Sequence, residues 1–107
     1  MEFLTRKEEL IMLAIRRLGE SASLVEIRRL LIKRTGKNWS PGNVYVPLDS
    51  MTKKNFLEYT IGDPSPRRGG KARKIYRLTG KGRRALDELK KVQDLMWTGL
   101  PDPTTGG

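Results

Sequence analysis

Residues 39–45 of the chain read Trp-Ser-Pro-Gly-Asn-Val-Tyr, a sequence typical of the start of an α-helix. Ser40 is a favoured N-cap residue, because its hydroxyl can accept a hydrogen bond from a free backbone N–H of the first turn. Pro41 follows at the first helical position, where its missing N–H removes no helical hydrogen bond. Trp39 and Val44 are spaced as a hydrophobic staple across this start. We therefore expect a helix whose N-cap is Ser40.

This helix has two chemically different faces. The residues expected to face the core, at helical spacing, are Val44, Leu48 and Met51. The residues expected to face away from it are Asn43, Tyr45, Val46 and Asp49. The helix should end near Asn55, because Asn tolerates the left-handed conformation that closes many helices. Pro47 lies in its interior and lacks an N–H, so a local kink is expected there.

Two more helices are predicted before residue 39. Thr5 and Glu8 form a capping box at the start of the first, which ends at Gly19. Its apolar stripe consists of Leu10, Ile11, Ala14, Ile15 and Leu18. The second is expected to begin near Ser23 and to end before Gly36. Its buried residues are expected to be Ile27, Leu30 and Leu31. The short link to the third helix is typical of a helix-turn-helix.

Two strands and a final helix are predicted after residue 55. Leu57, Tyr59 and Ile61 occupy alternate positions, as in a half-buried strand, and so do Tyr76 and Leu78. Pro and Gly within residues 62–71 forbid regular structure between these strands, which predicts a hairpin with a long basic tip. A last helix is expected from a cap at residue 79 to about residue 98.

This order of elements predicts an α+β, mainly α fold. It is a winged helix-turn-helix with three helices, a two-stranded β-wing and a C-terminal helix. A chain of 107 residues fits one domain. We expect residues 1–78 to form the winged helix, 79–100 to be the dimerisation helix of the same domain, and 101–107 to be a flexible tail.

The chain is strongly basic. It has 22 Lys and Arg against 12 Asp and Glu, a formal net charge of +10. Such an excess attracts polyanions, most commonly nucleic acid, although a merely solvated basic surface is the alternative. The excess is concentrated in residues 21–78, where thirteen basic residues stand against four acidic ones.

The residue types that are missing exclude several kinds of chemistry. Cys and His are both absent, which removes disulfides, thiolate and imidazole metal sites, and every catalytic triad that uses a His base. The carboxylates show no clustered ligand spacing, so no metal or cofactor is expected. Neither a long apolar run nor a signal peptide is visible, which predicts a cytoplasmic protein without membrane contact.

Two groups of residues are candidates for contact with double-stranded DNA. On the third helix, Asn43 is suited to read adenine, Val46 to touch a thymine methyl group, and Tyr45 to hold a phosphate. Ser40 would add a phosphate contact to its capping role. The cations of the hairpin tip, suited to the phosphate backbone or the minor groove, are Arg67, Arg68, Lys71, Arg73 and Lys74. Packing of Tyr45 and simple solubility of the tip are the alternatives.

The last helix has more apolar surface than one subunit can cover. Its stripe begins at core spacing with Leu86 and continues through Met96, but its final turn is apolar over most of its circumference. A second copy is the simplest partner, so we predict a homodimer. Its interface residues would be Leu89, Val92, Leu95, Met96, Trp97 and Leu100. Trp97 is expected either to fill this interface or to line a pocket for a small aromatic effector.

The chain resembles the PadR-like transcriptional regulators, winged-helix repressors of bacteria. The matching segments are Leu-Thr-Arg-Lys-Glu-Glu-Leu-Ile at 4–11, Trp-Ser-Pro-Gly-Asn-Val-Tyr at 39–45 with Leu48, Lys-Lys-Asn-Phe-Leu at 53–57, Arg-Gly-Gly-Lys at 68–71 and Ile-Tyr-Arg-Leu-Thr-Gly-Lys-Gly-Arg at 75–83. The resemblance implies dimerisation through the last and first helices, DNA binding by the third helix and the wing, and repression often relieved by a small aromatic compound. Two departures are Val46, which separates the tyrosine from its usual proline, and Asn55, where glycine is usual.

One different class of function stays open. It is a winged helix that serves as a protein-interaction or RNA-binding adaptor of phage or mobile-element type. An enzyme is poorly supported, because the sequence has no Gly-rich phosphate loop, no carboxylate pair and no nucleophile beside a base.

Overall fold

The structure is a computed structural model that describes residues 4–62 and 73–101. The helices in these ranges are α1 (Arg6–Leu18), α2 (Leu24–Thr35), α3 (Pro41–Lys53) and α4 (Gly80–Trp97), with a short 3-10 turn, Gly19–Ser21, after α1. The strands β1 (Leu57–Ile61) and β2 (Lys74–Leu78) pair antiparallel. The predicted order of elements is confirmed, and the fold is a winged helix.

Each α-helix begins at a hydroxyl side chain that caps it, as the sequence predicts. Thr5 accepts from the backbone N–H of Glu8 at 3.1 Å, and the Glu8 carboxylate accepts from the Thr5 N–H at 2.8 Å, which completes the capping box. Ser23, Ser40 and Thr79 cap α2, α3 and α4 through oxygen–nitrogen contacts of 3.0–3.3 Å. A cap of this kind contributes about 1 kcal/mol, so the helix starts are defined locally.

The ends of the first three helices also follow the sequence. Gly19, Gly36 and Asn55 all have positive φ angles, of 57°, 69° and 66°. Gly36 has the left-handed conformation that closes many helices, whereas Gly19 combines its positive φ with a ψ of −121°. Among the described residues, Asn55 is the non-glycine residue with a positive φ, two residues after the end of α3. α3 is assigned as helix throughout, with Pro47 in its interior.

The core lies where α1, α2, α3 and the base of the sheet meet. The predicted inner face of α3 is confirmed, since Val44, Leu48 and Met51 have no exposed surface. On α1 the prediction was too narrow, because Met12 is also fully buried whereas Leu10 and Leu18 are only partly covered. The reason is that α1 contacts α2, α3 and β2 at once, so more than one stripe of it is enclosed.

The two strands differ in burial although they are equal in length. In β2, Tyr76 and Leu78 are buried as predicted. In β1 the predicted half-burial is wrong beyond Leu57, since Tyr59 is 42% exposed and Ile61 is 60% exposed. Leu57 pairs with Leu78, whereas Ile61 lies at the far end of the ladder. The hairpin therefore extends past the helical layer that would cover its outer residues.

The start of α4 is seated tightly on the turn between α3 and β1. The Thr79 hydroxyl donates to the backbone carbonyl of Asn55 at 2.6 Å. The Lys81 ammonium lies 4.8 Å from the centre of the Phe56 ring. A Cβ atom on Gly82 would overlap the backbone carbonyl oxygen of Phe56, so a residue without a side chain is needed there. Burial of Leu86 on the next turn continues this contact.

Candidate nucleic-acid interface

The outer face of α3 carries the side chains that are predicted from the sequence to contact DNA. Tyr45 is 48% exposed and Val46 is 65% exposed, and Ser40 and Asn43 are also at the surface. They are exposed because Val44, on the same turns, points into the core. The predicted division of α3 into an inner and an outer face is therefore confirmed.

Ser40 keeps a free hydrogen-bonding function beyond its cap. Its oxygen accepts from the backbone N–H of Asn43 at 3.2 Å. A hydroxyl that accepts one hydrogen bond still has a hydrogen to donate. Because Ser40 is exposed at the N-terminal end of α3, it can cap the helix and contact an anion at the same time.

The C-terminal half of α3 carries an ion pair. The Lys53 ammonium lies 3.0 Å from the Asp49 carboxylate. This hydrogen bond raises the pKa of Lys53. The pairing balances the negative charge of Asp49, so this carboxylate presents less repulsion to a polyanion.

The direction of α3 is set by contacts within the turn that precedes it. Arg28 Nε donates to the backbone carbonyl of Trp39 at 2.6 Å. The Trp39 indole N–H donates to the Thr35 hydroxyl at 3.0 Å, and the ring itself is buried. Arg28 is thus committed to the helix-turn-helix link, which holds α3 in a fixed orientation relative to α2.

A lysine from α1 reaches the same surface and was not predicted. The Lys7 ammonium donates to the Asn43 side-chain oxygen over 3.4 Å. The two residues are 36 positions apart in the chain, and no local pattern indicates that they meet. Packing of α1 against α3 brings them together.

The base of the wing faces α2 and α3 with two cations. Arg73 Nη1 lies 3.4 Å from the Ser23 hydroxyl oxygen at the start of α2. Lys74 Nζ lies 4.6 Å from the centre of the Tyr59 ring, a cation–π contact that holds the ammonium over the strand pair. Arg67, Arg68 and Lys71, which were also predicted to bind DNA, lie outside the described residues.

A cleft of about 280 Å³ lies between the start of α2, Tyr45 of α3 and the wing base. Its lining residues are Ser23, Leu24, Val25, Tyr45, Arg73, Lys74 and Tyr76. Burial raises the pKa of the Tyr76 phenol. The Tyr59 and Tyr76 rings are 5.8 Å apart and tilted by 55°. The result is a mainly apolar floor beside two cations, a combination that suits the sugar and phosphate of a nucleic-acid backbone.

The sequence of this chain matches one protein family over most of its length. The model of the PadR-like transcriptional regulator family matches residues 16–88, which include α2, α3, both strands and the first half of α4. The chain belongs to the PadR-like family. It is accordingly a DNA-binding transcription regulator with a winged-helix fold.

Solved structures of PadR-like proteins share this fold. A PadR-like transcriptional regulator from Bacillus cereus is 29% identical with a TM-score of 0.69, over 83% of this chain and 82% of that one. A PadR-like transcription factor from Bacteroides fragilis is 27% identical with a TM-score of 0.68, over 85% of each chain. A PadR family regulator from Clostridium difficile, 22% identical with a TM-score of 0.65 over 86% of this chain and 91% of that one, shows the fold alone. A search of curated proteins returned no match.

The free end of α4 in this PadR-like regulator carries an exposed apolar patch, which we call the α4 patch. Its members are Leu95, Met96, Trp97 and Leu100, all between 57% and 76% exposed. Leu89 and Val92, the other predicted interface residues, are partly buried within one subunit. Met96 continues the spacing of the core stripe, but it lies beyond the point where α4 leaves the core, and the described residues leave it 71% exposed.

Two cavities formed by the described residues lie away from Trp97. Besides the cleft at α3, a larger one of about 720 Å³ lies between the end of α1, β2 and the start of α4. Trp97 lines neither of these two. An aromatic effector beside Trp97 stays a prediction, and it requires walls that a second subunit would supply.

Two further observations concern the described residues 4–62 and 73–101. None of their helices is both long enough and apolar enough to span a membrane. Their Asp and Glu side chains form no group of three or more that could hold a metal ion.

Proposed function

We propose that this PadR-like regulator is a sequence-specific repressor that binds double-stranded DNA as a homodimer, through α3 and the basic wing. The observation that carries the proposal is the exposed outer face of α3, which lies across a cleft from Arg73 and Lys74. A helix of this exposure fits the major groove, and cations at its side fit the adjoining phosphates. The repressor role rests on the family resemblance.

Base reading is assigned to Asn43 and Val46. Both are exposed near the N-terminal end of α3, the part of a recognition helix that contacts base edges in helix-turn-helix proteins. An amide side chain can exchange two hydrogen bonds with one base, and a valine methyl group can pack on the thymine methyl. Each good amide–base pair discriminates against a wrong base by about 1–3 kcal/mol.

Phosphate contacts are assigned to Ser40, Tyr45 and the wing. Ser40 has a hydroxyl hydrogen to donate, and Tyr45 lines the cleft next to Arg73. Arg67, Arg68 and Lys71 lie between the two strands in the sequence, and they are assigned to phosphate contacts because of their charge. Contacts of this kind hold the protein in register on the duplex and carry no sequence information of their own.

The homodimer is inferred from the α4 patch. Four large apolar side chains at the end of α4 and just beyond it are exposed, and each Å² of apolar surface that faces water costs about 25 cal/mol relative to burial. A two-fold symmetric partner covers the same patch on both copies. The two α3 helices of such a dimer would then bind two half-sites of an operator.

Selection of binding sites from a randomised duplex library tests the proposal. The full chain should select a two-fold symmetric site. Asn43→Ala should reduce the preference for one base over the others by about tenfold at one position of each half-site. Tyr45→Phe should lower the affinity for all sequences alike. Equal affinity for RNA hairpins and duplex DNA, with no selected sequence, would favour the adaptor function instead.

A further inference from the structure

The contact between Lys7 and Asn43 has a chemical consequence for base reading. Lys7 lies on the first turn of α1, which the capping box at Thr5 holds in place. Its ammonium donates to Oδ1 of Asn43 at 3.4 Å, and both side chains are at the protein surface. The contact therefore brings a cation to the predicted base-reading residue, and it does not use the two donors of the Nδ2 amide group.

The charge of Lys7 is not neutralised by the acidic residues beside it. The Glu8 carboxylate accepts from the backbone N–H of Thr5 at 2.8 Å. The Glu9 carboxylate pairs with Arg6 at 3.7 Å and is almost buried. An ammonium has three hydrogens to donate, and the contact with Asn43 uses one of them. Lys7 thus keeps both its charge and free donors at this surface.

The two purines make opposite demands on an asparagine. Adenine offers an acceptor at N7 and a donor at its N6 amino group, so Oδ1 must accept from that amino group. In this structure Oδ1 accepts from Lys7 with one of its two lone pairs, and the positive charge of the nearby ammonium disfavours a second donor at the other. Guanine offers two acceptors, O6 and N7, which match the donors of Asn43 Nδ2 and the Lys7 ammonium.

We propose that Lys7 is a specificity-determining residue and that the Lys7–Asn43 pair reads guanine. This inference rests on the proposed function, since it requires the outer face of α3 to lie in the major groove. It replaces the adenine preference that Asn43 alone would predict. Within the pair, Lys7 both orients the amide and donates directly to the base.

Selection from the randomised duplex library with four full-length proteins tests the pair. The wild type should select guanine at the position whose preference is lost in Asn43→Ala. Lys7→Met keeps the length of the side chain and removes its donors, which frees Oδ1. It should shift the ratio of guanine to adenine at that position by about tenfold toward adenine. Arg17→Met is the matched control, because it removes an exposed cation from the same helix and should leave every base preference unchanged.

The possible results separate the pair from the proposed function. Lys7→Met could instead lower the affinity for all sequences alike and leave the guanine-to-adenine ratio unchanged. Lys7 would then contact only phosphates, and the inference would be wrong. Adenine at the Asn43-dependent position of the wild-type site would also overturn it. If Asn43→Ala alters no position at all, base reading by α3 itself fails. Circular-dichroism spectra of each variant show that its fold is retained.

Discussion

The outer face of α3 and the free end of α4 are both exposed, but they present different chemistry to water. On α3, Asn43 accepts a hydrogen bond from Lys7, and Tyr45 lines a cleft together with Arg73. The α4 patch, at the end of α4 and just beyond it, is apolar and its side chains are up to 76% exposed. A polar, cationic surface is stable in water and binds a hydrated anion reversibly, whereas an apolar patch of this kind is stable only when it is covered. Exposure alone thus does not identify a partner, but the chemistry of the exposed atoms does.

Charge is divided between the same two regions. Residues 21–78 hold thirteen basic and four acidic residues, while residues 81–100 hold five and three. Two copies of a chain with a net charge of +10 repel each other. Concentrating the excess away from α4 reduces that repulsion at the proposed dimer contact and leaves the positive field on the side of α3 and the wing.

Met96→Glu should have the largest effect, because it places a charge in the α4 patch. The dimer should dissociate, and affinity for a two-half-site operator should fall by about 100-fold or more as the two subunits stop binding together. Sedimentation and gel shifts measure the two quantities, with Met96→Leu as the control that keeps an apolar side chain. If the wild type sediments as a monomer at micromolar concentration, the α4 patch does not form a dimer contact and the proposed homodimer is wrong.

Gly82→Ala tests whether the two regions form one folding unit. The added methyl group would overlap the Phe56 carbonyl, and overpacking of this kind costs about 2 kcal/mol. Denaturant unfolding should show one cooperative transition at a lower midpoint, as expected if residues 79–100 belong to the same domain as 1–78. Gly42→Ala is the control, because a methyl group there meets no atom within 4 Å and should not reduce the free energy of unfolding. A second, separate transition for α4 would contradict the single domain.

Arg73→Ala should change the salt dependence of DNA binding and leave its sequence preference intact. Each lost phosphate contact lowers the slope of log K against log salt by about 0.9, once per subunit. Arg68→Ala and Lys71→Ala should each lower this slope in the same way and leave the sequence preference intact. Arg84→Ala removes an exposed cation from α4 and should leave the slope unchanged. An altered base preference in Arg73→Ala would show that the wing base reads sequence.

The smallest signal is expected from Trp97. In a Trp39→Phe background, the emission of Trp97 should shift to shorter wavelength as the dimer forms and covers the ring. Titration with flat aromatic compounds then separates two roles, since quenching together with operator release indicates an effector pocket. Absence of quenching by a broad panel would leave Trp97 as interface filling. A Trp39→Phe protein with unaltered operator affinity is the necessary control.

Local physical chemistry made the starts, ends and inner faces of the helices predictable. Caps at Ser40 and Thr79 and the left-handed stop at Asn55 involve atoms only a few residues apart in the chain, so the sequence contains all the partners. The same holds for the outer face of α3, because helical spacing alone sets Val46 opposite the buried residues and Asn43 and Tyr45 on the two flanks. Net charge and the apolar end of α4 likewise follow from the residue types.

Tertiary packing decided what no local pattern contains. The Lys7–Asn43 contact depends on how α1 crosses α3, and the requirement for glycine at residue 82 depends on where the Phe56 carbonyl comes to lie. Exposure of Tyr59 was missed because alternation along a strand shows which side chains share a face, but not how far the neighbouring layer extends. These features join residues that are far apart in sequence, and their distances are set only when all the helices and strands are packed together.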